Sequence, residues 1–192
     1  MKKILLILLV VVVSTGASAQ SLFSRLHFGV KAGGNYSNFT NADFGTDPLM
    51  GFHAGAIVSF DLIKGLSVQE EFLFSTQGAE IKDDNNLFNK DKLELSYISV
   101  PILLKYKTSI GVYIEAGPQF NMLVSDVKDT GFDKFADKID VGVAGGIGYQ
   151  FHKIGIGARY YTGLTKVGKF DSSNIKPDFK NSVLQASLFY IF

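Results

Sequence analysis

A chain of 192 residues that is 46% hydrophobic, with 20 Gly, 17 Phe and 8 Tyr but only 4 Pro, has room for one domain and favours strands and turns over helices. The absence of cysteine excludes disulfides, thiolate metal sites and a lipid anchor on an N-terminal cysteine. A formal charge of +1, with no basic run of the kind that grips phosphates, leaves no reason to expect a nucleic-acid partner.

The first stretch reads as an export signal. Lys2 and Lys3 precede the apolar run Ile4 to Val13, and small and polar residues then lead to Ala17-Ser18-Ala19, so cleavage is expected between Ala19 and Gln20. That run is too short to anchor the chain as a membrane helix. The expected organisation is a signal peptide over 1–19 and one barrel domain over 20–192. Removing the signal leaves 192 − 19 = 173 residues, in which 17 basic face 18 acidic side chains.

After a polar leader, Leu26, Phe28, Val30, Ala32 and Tyr36 share one face of an alternating run, while His27, Gly29, Lys31, Gly33 and Asn35 share the other. Alternation at every second residue is the mark of a strand with two different surroundings. Residues 40–50 read as a long loop. Phe52, Ala54, Ala56, Val58 and Phe60 then alternate with His53, Gly55, Ile57 and Ser59, and Asp61 to Gly65 is a short turn.

The third strand, Leu66 to Gly78, sends Val68, Phe72 and Phe74 one way and Ser67, Gln69, Glu71, Ser75 and Gln77 the other. Glu70 falls on the apolar face, where a charge in lipid is costly. Two accounts stand open: a bulge that shifts the register, or a position near the headgroups. A loop over Glu80 to Lys92 follows, and Ile98, Val100, Ile102, Leu104 and Tyr106 oppose Tyr97, Ser99, Leu103 and Lys105 before a turn at Lys107 to Ser109. The fifth strand places Val112, Ile114, Ala116, Phe120 and Met122 against Tyr113, Glu115, Gly117, Gln119 and Asn121.

Residues 126–138 form a third long loop. Val141, Val143, Ile147, Tyr149 and Phe151 then face away from Asp140, Gly142, Ala144, Gly146, Gly148 and Gln150. His152 and Lys153 make the tightest turn, after which Ile154, Ile156, Ala158, Tyr160 and Leu164 alternate with Gly155, Gly157, Arg159, Tyr161 and Gly163. The loop Lys166 to Phe179 leads to a last strand, Val183 to Phe192, whose apolar face carries Leu184, Ala186, Leu188 and Tyr190. Leu188, Tyr190 and the final Phe192 resemble the signal that outer-membrane barrels present to their insertion machinery.

The pattern predicts eight antiparallel strands in an all-β, up-and-down transmembrane barrel, joined alternately by short turns and long loops, with the turns in the periplasm. Pro101 and Pro118 fall inside strands, where a bulge would accommodate them. The rival is a soluble eight-stranded carrier with its apolar face inward. Its outer face should be rich in Lys and Glu. Here the polar face is mostly Gly, Ser, Asn and Gln, and Phe28, Phe52, Phe60, Tyr106, Tyr149, Phe151 and Tyr190 gather near strand ends as interfacial girdles do.

Several segments resemble the PorT-like outer-membrane beta-barrel proteins: Phe28-Gly29-Val30-Lys31-Ala32-Gly33, Leu66-Ser67-Val68-Gln69 with Glu71 and Gly78, Tyr97-Ile98-Ser99-Val100-Pro101, Glu115-Ala116-Gly117-Pro118, Gly145-Gly146-Ile147-Gly148-Tyr149 and Arg159-Tyr160-Tyr161. Both prolines belong to that family's pattern, whereas Glu70 stands where the family often has Pro. The resemblance implies an outer-membrane location and a link to protein secretion, hence an envelope or secretion protein as partner alongside outer-membrane lipid and the insertion machinery.

An eight-stranded barrel is about wide enough for side chains to fill, which argues against a free diffusion pore. Glu71, Glu115 and Arg159 are spaced 44 residues apart and should stand at similar heights, with Arg159 opposite Gly146 and Glu71 opposite Gly55. With Lys105 and Lys31 in reserve, they predict a charge-assisted lumen network: a plug that fixes barrel shape or, alternatively, the gate of a narrow conduit for a small ion or solute. No cofactor, metal or catalytic residue is expected. There is no G-x-S-x-G or H-E-x-x-H, the histidines lack an Asp at a telling spacing, His27 and His53 read as lumen filler and His152 as a turn residue. The loops over 80–92 and 126–138, with Phe88, Phe132 and Phe135, are candidate binding edges.

Overall fold

The computed structural model describes residues 23–40, 46–81, 92–124, 139–164 and 180–192. The signal peptide with Ala19 and Gln20, residues 41–45 of the first predicted loop, and most or all of each later predicted long loop, with Phe88, Phe132 and Phe135, lie outside them. Among the described residues are eight strands: β1 (Leu26–Thr40), β2 (Thr46–Ile63), β3 (Leu66–Ile81), β4 (Lys92–Lys107), β5 (Val112–Leu123), β6 (Ile139–Phe151), β7 (Ile154–Gly163) and β8 (Lys180–Ile191). Each pairs antiparallel with the next, and β8 returns to β1, closing the barrel.

Closure has a measurable stagger. Following partners from Leu26 through Phe60, Val68, Leu104, Ala116, Gly145, Tyr160 and Leu184 returns to β1 at Tyr36, a shear of 36 − 26 = 10 residues. Stagger of this size in eight strands goes with strands tilted roughly 35–45° from the barrel axis. Apart from lapses beside Pro101 and Pro118 and between Pro48 and His53, the ladders then give the backbone N–H and C=O groups partners on neighbouring strands, as a lipid-embedded segment requires.

The two faces separate as the alternation predicts. Phe28, Val30, Phe72, Ile114, Ile147, Ile156 and Leu188 point outward and exposed, whereas Lys31, Asn35, Gln69, Glu71, Glu115, Gln119, Arg159 and Gln185 are buried inside. A soluble carrier would reverse this. Exposed aromatics collect toward the turn end at Phe28, Tyr106, Tyr149, Phe151 and Tyr190, and toward the loop end at Tyr36 and Phe52, with the Phe52 and Phe74 rings 6.0 Å apart.

Several local expectations need correction. The first loop is shorter than residues 40–50, since β2 starts at Thr46, and β4 and β8 begin earlier than the apolar alternation suggests, at Lys92 and Lys180. The β2–β3 turn is not Asp61 to Gly65 but Lys64 and Gly65 alone, with Gly65 at φ 82°. His152 opens the β6–β7 turn at φ 53°. The proline bulges do not occur: pairs on either side of Pro101 and Pro118 keep one register in β4–β5 and β5–β6. In β3–β4 the ladder lapses for the two residues between Glu70 and Leu73, where Pro101 offers no donor, and resumes unshifted. Nor is there a bulge at Glu70, which pairs in register with Val58 and Ile102, half-buried on the lipid-facing side near the turn end of β3.

Glycines in the lumen make room for large side chains. A Cβ on Gly157 or Gly148 would run into the Tyr113 hydroxyl, which donates to the Ile156 carbonyl at 3.3 Å. Gly157→Leu should therefore dislodge Tyr113 and lower stability by about 1–3 kcal/mol, the usual cost of overfilling a packed core. Phe72→Arg, which places a cation in lipid, should cost about 2–4 kcal/mol if Phe72 lies at bilayer mid-depth, while Phe72→Leu should cost much less. Denaturant unfolding in vesicles measures both.

Candidate functional site

Inward positions on β1, β3, β5 and β7 meet at one level of the lumen. Arg159 is the centre: its Nη1 and Nη2 donate to the two oxygens of Glu71 at 2.7 and 2.8 Å, a bidentate bond across the barrel. Its Nε and Nη2 donate to Glu115 Oε1 at 2.8 and 2.6 Å. Lys31 Nζ lies 3.2 Å from both Glu71 oxygens, and Gln69 Nε2 donates to Glu71 Oε1 at 2.6 Å. Arg159 is 2% exposed and Glu71 0%, so these are desolvated charges, and only close pairing makes their burial tolerable. The planar guanidinium suits this place because it serves two carboxylates at once.

The register explains how they meet. Gly146 is the partner of Arg159, and a Cβ there would stand 3.1 Å from Glu115 Oε1, so the missing side chain leaves space for the Arg159–Glu115 pair. Glu71, however, pairs with Ile57 rather than Gly55. The two-residue turn at Lys64 and Gly65, with a register shift between Asp61 and Ile63, moves β3 by two positions from the predicted pairing.

Lys105 occupies a different position from Lys31. Its Nζ donates to Gln69 Oε1 at 3.1 Å and lies 4.1 Å from the Tyr113 ring centre and 4.6 Å from that of Phe189. It thus joins the carboxylates through an amide, on the turn side of the charged layer. Ile57, Tyr113 and Phe189 pack together there, and Leu103, Ala144, Tyr161 and Val183 form a second apolar cluster on the loop side. Beyond that, Tyr161 donates to Asp140 Oδ2 at 2.7 Å. The sequence placed Gln69, Tyr113 and Tyr161 inward, but nothing in their spacing announces these bonds. Phe189 also falls on the polar side of the β8 alternation, the one signal that could have marked it.

His53 is bonded at both nitrogens, through Nδ1 to Asn35 Oδ1 at 2.7 Å and through Nε2 to Ser187 Oγ at 2.9 Å. The order Ser187, His53, Asn35 is that of a nucleophile, base and orienting group. His53 is 1% exposed on the lumen side of the wall. His27 is not lumen filler: it is part-exposed at the turn-side mouth and bonds Asp61 at 3.0 Å. Among the described residues no group of His, Asp and Glu could hold a metal ion. Leu188, Tyr190 and Phe192 lie outward at the turn end of β8, with the Tyr190 and Phe192 rings edge to face at 5.6 Å.

Comparison with known proteins agrees with this architecture. Neisserial surface protein A is similar at 17% identity over 86% of this chain and 97% of its own, with a TM-score of 0.58. OprG from Pseudomonas aeruginosa is similar at 13% identity over 86% of this chain and 95% of its own, with a TM-score of 0.50. At such identities the likeness is one of fold. No curated protein matches the chain. The model of the outer membrane protein beta-barrel domain matches residues 18–168. With most of its length inside that match, an apolar outer wall and a closed barrel, the chain belongs to the outer membrane protein beta-barrel domain family and resides in the outer membrane.

Proposed function

We propose that the protein is a plugged, non-enzymatic outer-membrane barrel whose role is structural or interaction-based, in an envelope assembly or a secretion apparatus. The observation that carries this reading is the bidentate bond from Arg159 to Glu71, which ties β7 to β3 through the middle of the lumen. A pore would need that path free. The resemblance to PorT-like proteins supports a partner in envelope assembly or secretion. Recognition of such a partner would fall to the segments that join strands on the loop side.

A second reading, a narrow conduit gated by the same charges, draws on the loop-side half of the lumen. The Tyr97 hydroxyl, Ser99 Oγ and Gln119 Oε1 are buried there without a hydrogen-bond partner among the described residues. Buried polar groups are rarely left so unless water or a polar guest serves them.

Two outcomes separate the readings. Under the plug, Glu71→Gln leaves Arg159 and Lys31 without their shared carboxylate and should cost about 3–5 kcal/mol of unfolding free energy. Glu115→Gln, which touches Arg159 alone, should cost less, and neither variant should conduct in planar bilayers. Steady conductance in the parent protein that changes with Glu115→Gln would instead establish the conduit. Photo-crosslinking from loop positions in intact cells should capture a discrete envelope protein; only self-adducts or none would remove the interaction role.

A further inference from the structure

The end of the barrel that carries the short turns is not filled. A cavity of about 590 Å³ opens there, bounded by the β2–β3 and β6–β7 turns and reaching inward to Gln69 and Lys105. Among the described residues, five cations line it: Arg25, Lys64, Lys105, Lys107 and Lys153. Against them, among the described residues, stands Asp61, already bonded to His27 at 3.0 Å. The chain beyond residue 19 has 17 basic and 18 acidic side chains, so this excess belongs to the mouth and not to the composition.

Lys105 gives the cavity its floor. It is 4% exposed, yet its ammonium group touches one amide oxygen and two ring faces, and among the described residues it forms no ion pair with a carboxylate. Lys31 and Arg159, by contrast, share Glu71 and Glu115 among themselves. Glu115 is the cross-strand partner of Lys105 in the β4–β5 ladder but is bonded to Arg159, so the Lys105 ammonium group is left able to take an anion from the open side. A concave site with low-dielectric walls and one sign of charge concentrates opposite ions, and lysine ammonium groups suit phosphate oxygens as point charges.

We propose that this turn-side vestibule binds a phosphate group, with Lys105 at its base and Lys107 and Lys153 at its rim. The group is carried by a free periplasmic phosphate compound or by a phospholipid headgroup of the adjoining leaflet. The volume lies within the range of ordinary ligand pockets and exceeds what one phosphate needs.

The test uses the full folded barrel in detergent micelles, titrated with inorganic phosphate while amide shifts are followed, with chloride at equal ionic strength as control. Saturable shifts confined to the turn-side mouth are expected. Lys105→Met keeps an apolar stem against Tyr113 and Phe189 and should weaken binding at least tenfold. Should that variant fail to fold, as read by gel mobility before and after boiling, the pair Lys107→Gln and Lys153→Gln should weaken binding by a similar factor. In nanodiscs of phosphatidylcholine, retained phosphate binding identifies a free compound as the ligand, whereas competition by added phosphatidylglycerol identifies the headgroup. Absence of saturable shifts, equal shifts with chloride, or unchanged affinity in a folded Lys105→Met variant would overturn the proposal.

Discussion

Backbone hydrogen bonding governs this molecule more than any side chain does. In lipid no water is available to an unpaired N–H or C=O, so a sheet can span the membrane only by closing on itself. The β1–β8 pairing supplies that closure, with Gly29 opposite Ile191 and successive pairs up to Thr40 and Lys180. Once the wall is closed at a shear of 36 − 26 = 10, the alternation of side chains becomes a division between lipid and lumen.

That division creates the problem the lumen has to solve. Arg159, Glu71, Glu115 and Lys31 are removed from water together, and each would be unfavourable alone. They are stabilised by number and geometry: two carboxylates, one guanidinium and one ammonium, with Gln69 filling a remaining acceptor site on Glu71. Apolar clusters on either side exclude water from this layer and strengthen the pairing within it. The polar mouth and the charged waist therefore differ in kind, one solvated and open, the other dry and self-neutralising.

Much of this was legible from residue order. Gly, Ser, Asn and Gln on one face and Phe, Ile, Leu and Val on the other gave the inside-out character of the wall. The 44-residue spacing of Glu71, Glu115 and Arg159 reflects two successive up-and-down strand pairs, so it brought three charges to one level. Alternation survives small errors in strand ends, because a face is defined by parity and not by absolute position.

Contacts between strands were a different matter, because they depend on turn geometry and on side-chain reach across the lumen. A turn of two residues instead of five placed Glu71 beside Ile57 instead of Gly55. Lys31 and Lys105 both point inward, yet only the folded barrel decided that Lys31 meets Glu71 while Lys105 rests between Tyr113 and Phe189. The sequence by itself determined a lipid-facing wall around a polar core, since a period of two is a local property of the chain. Which charges touch, and that the turn-side mouth stays open, was settled only by tertiary structure, because closure, stagger and tilt set every distance across the barrel.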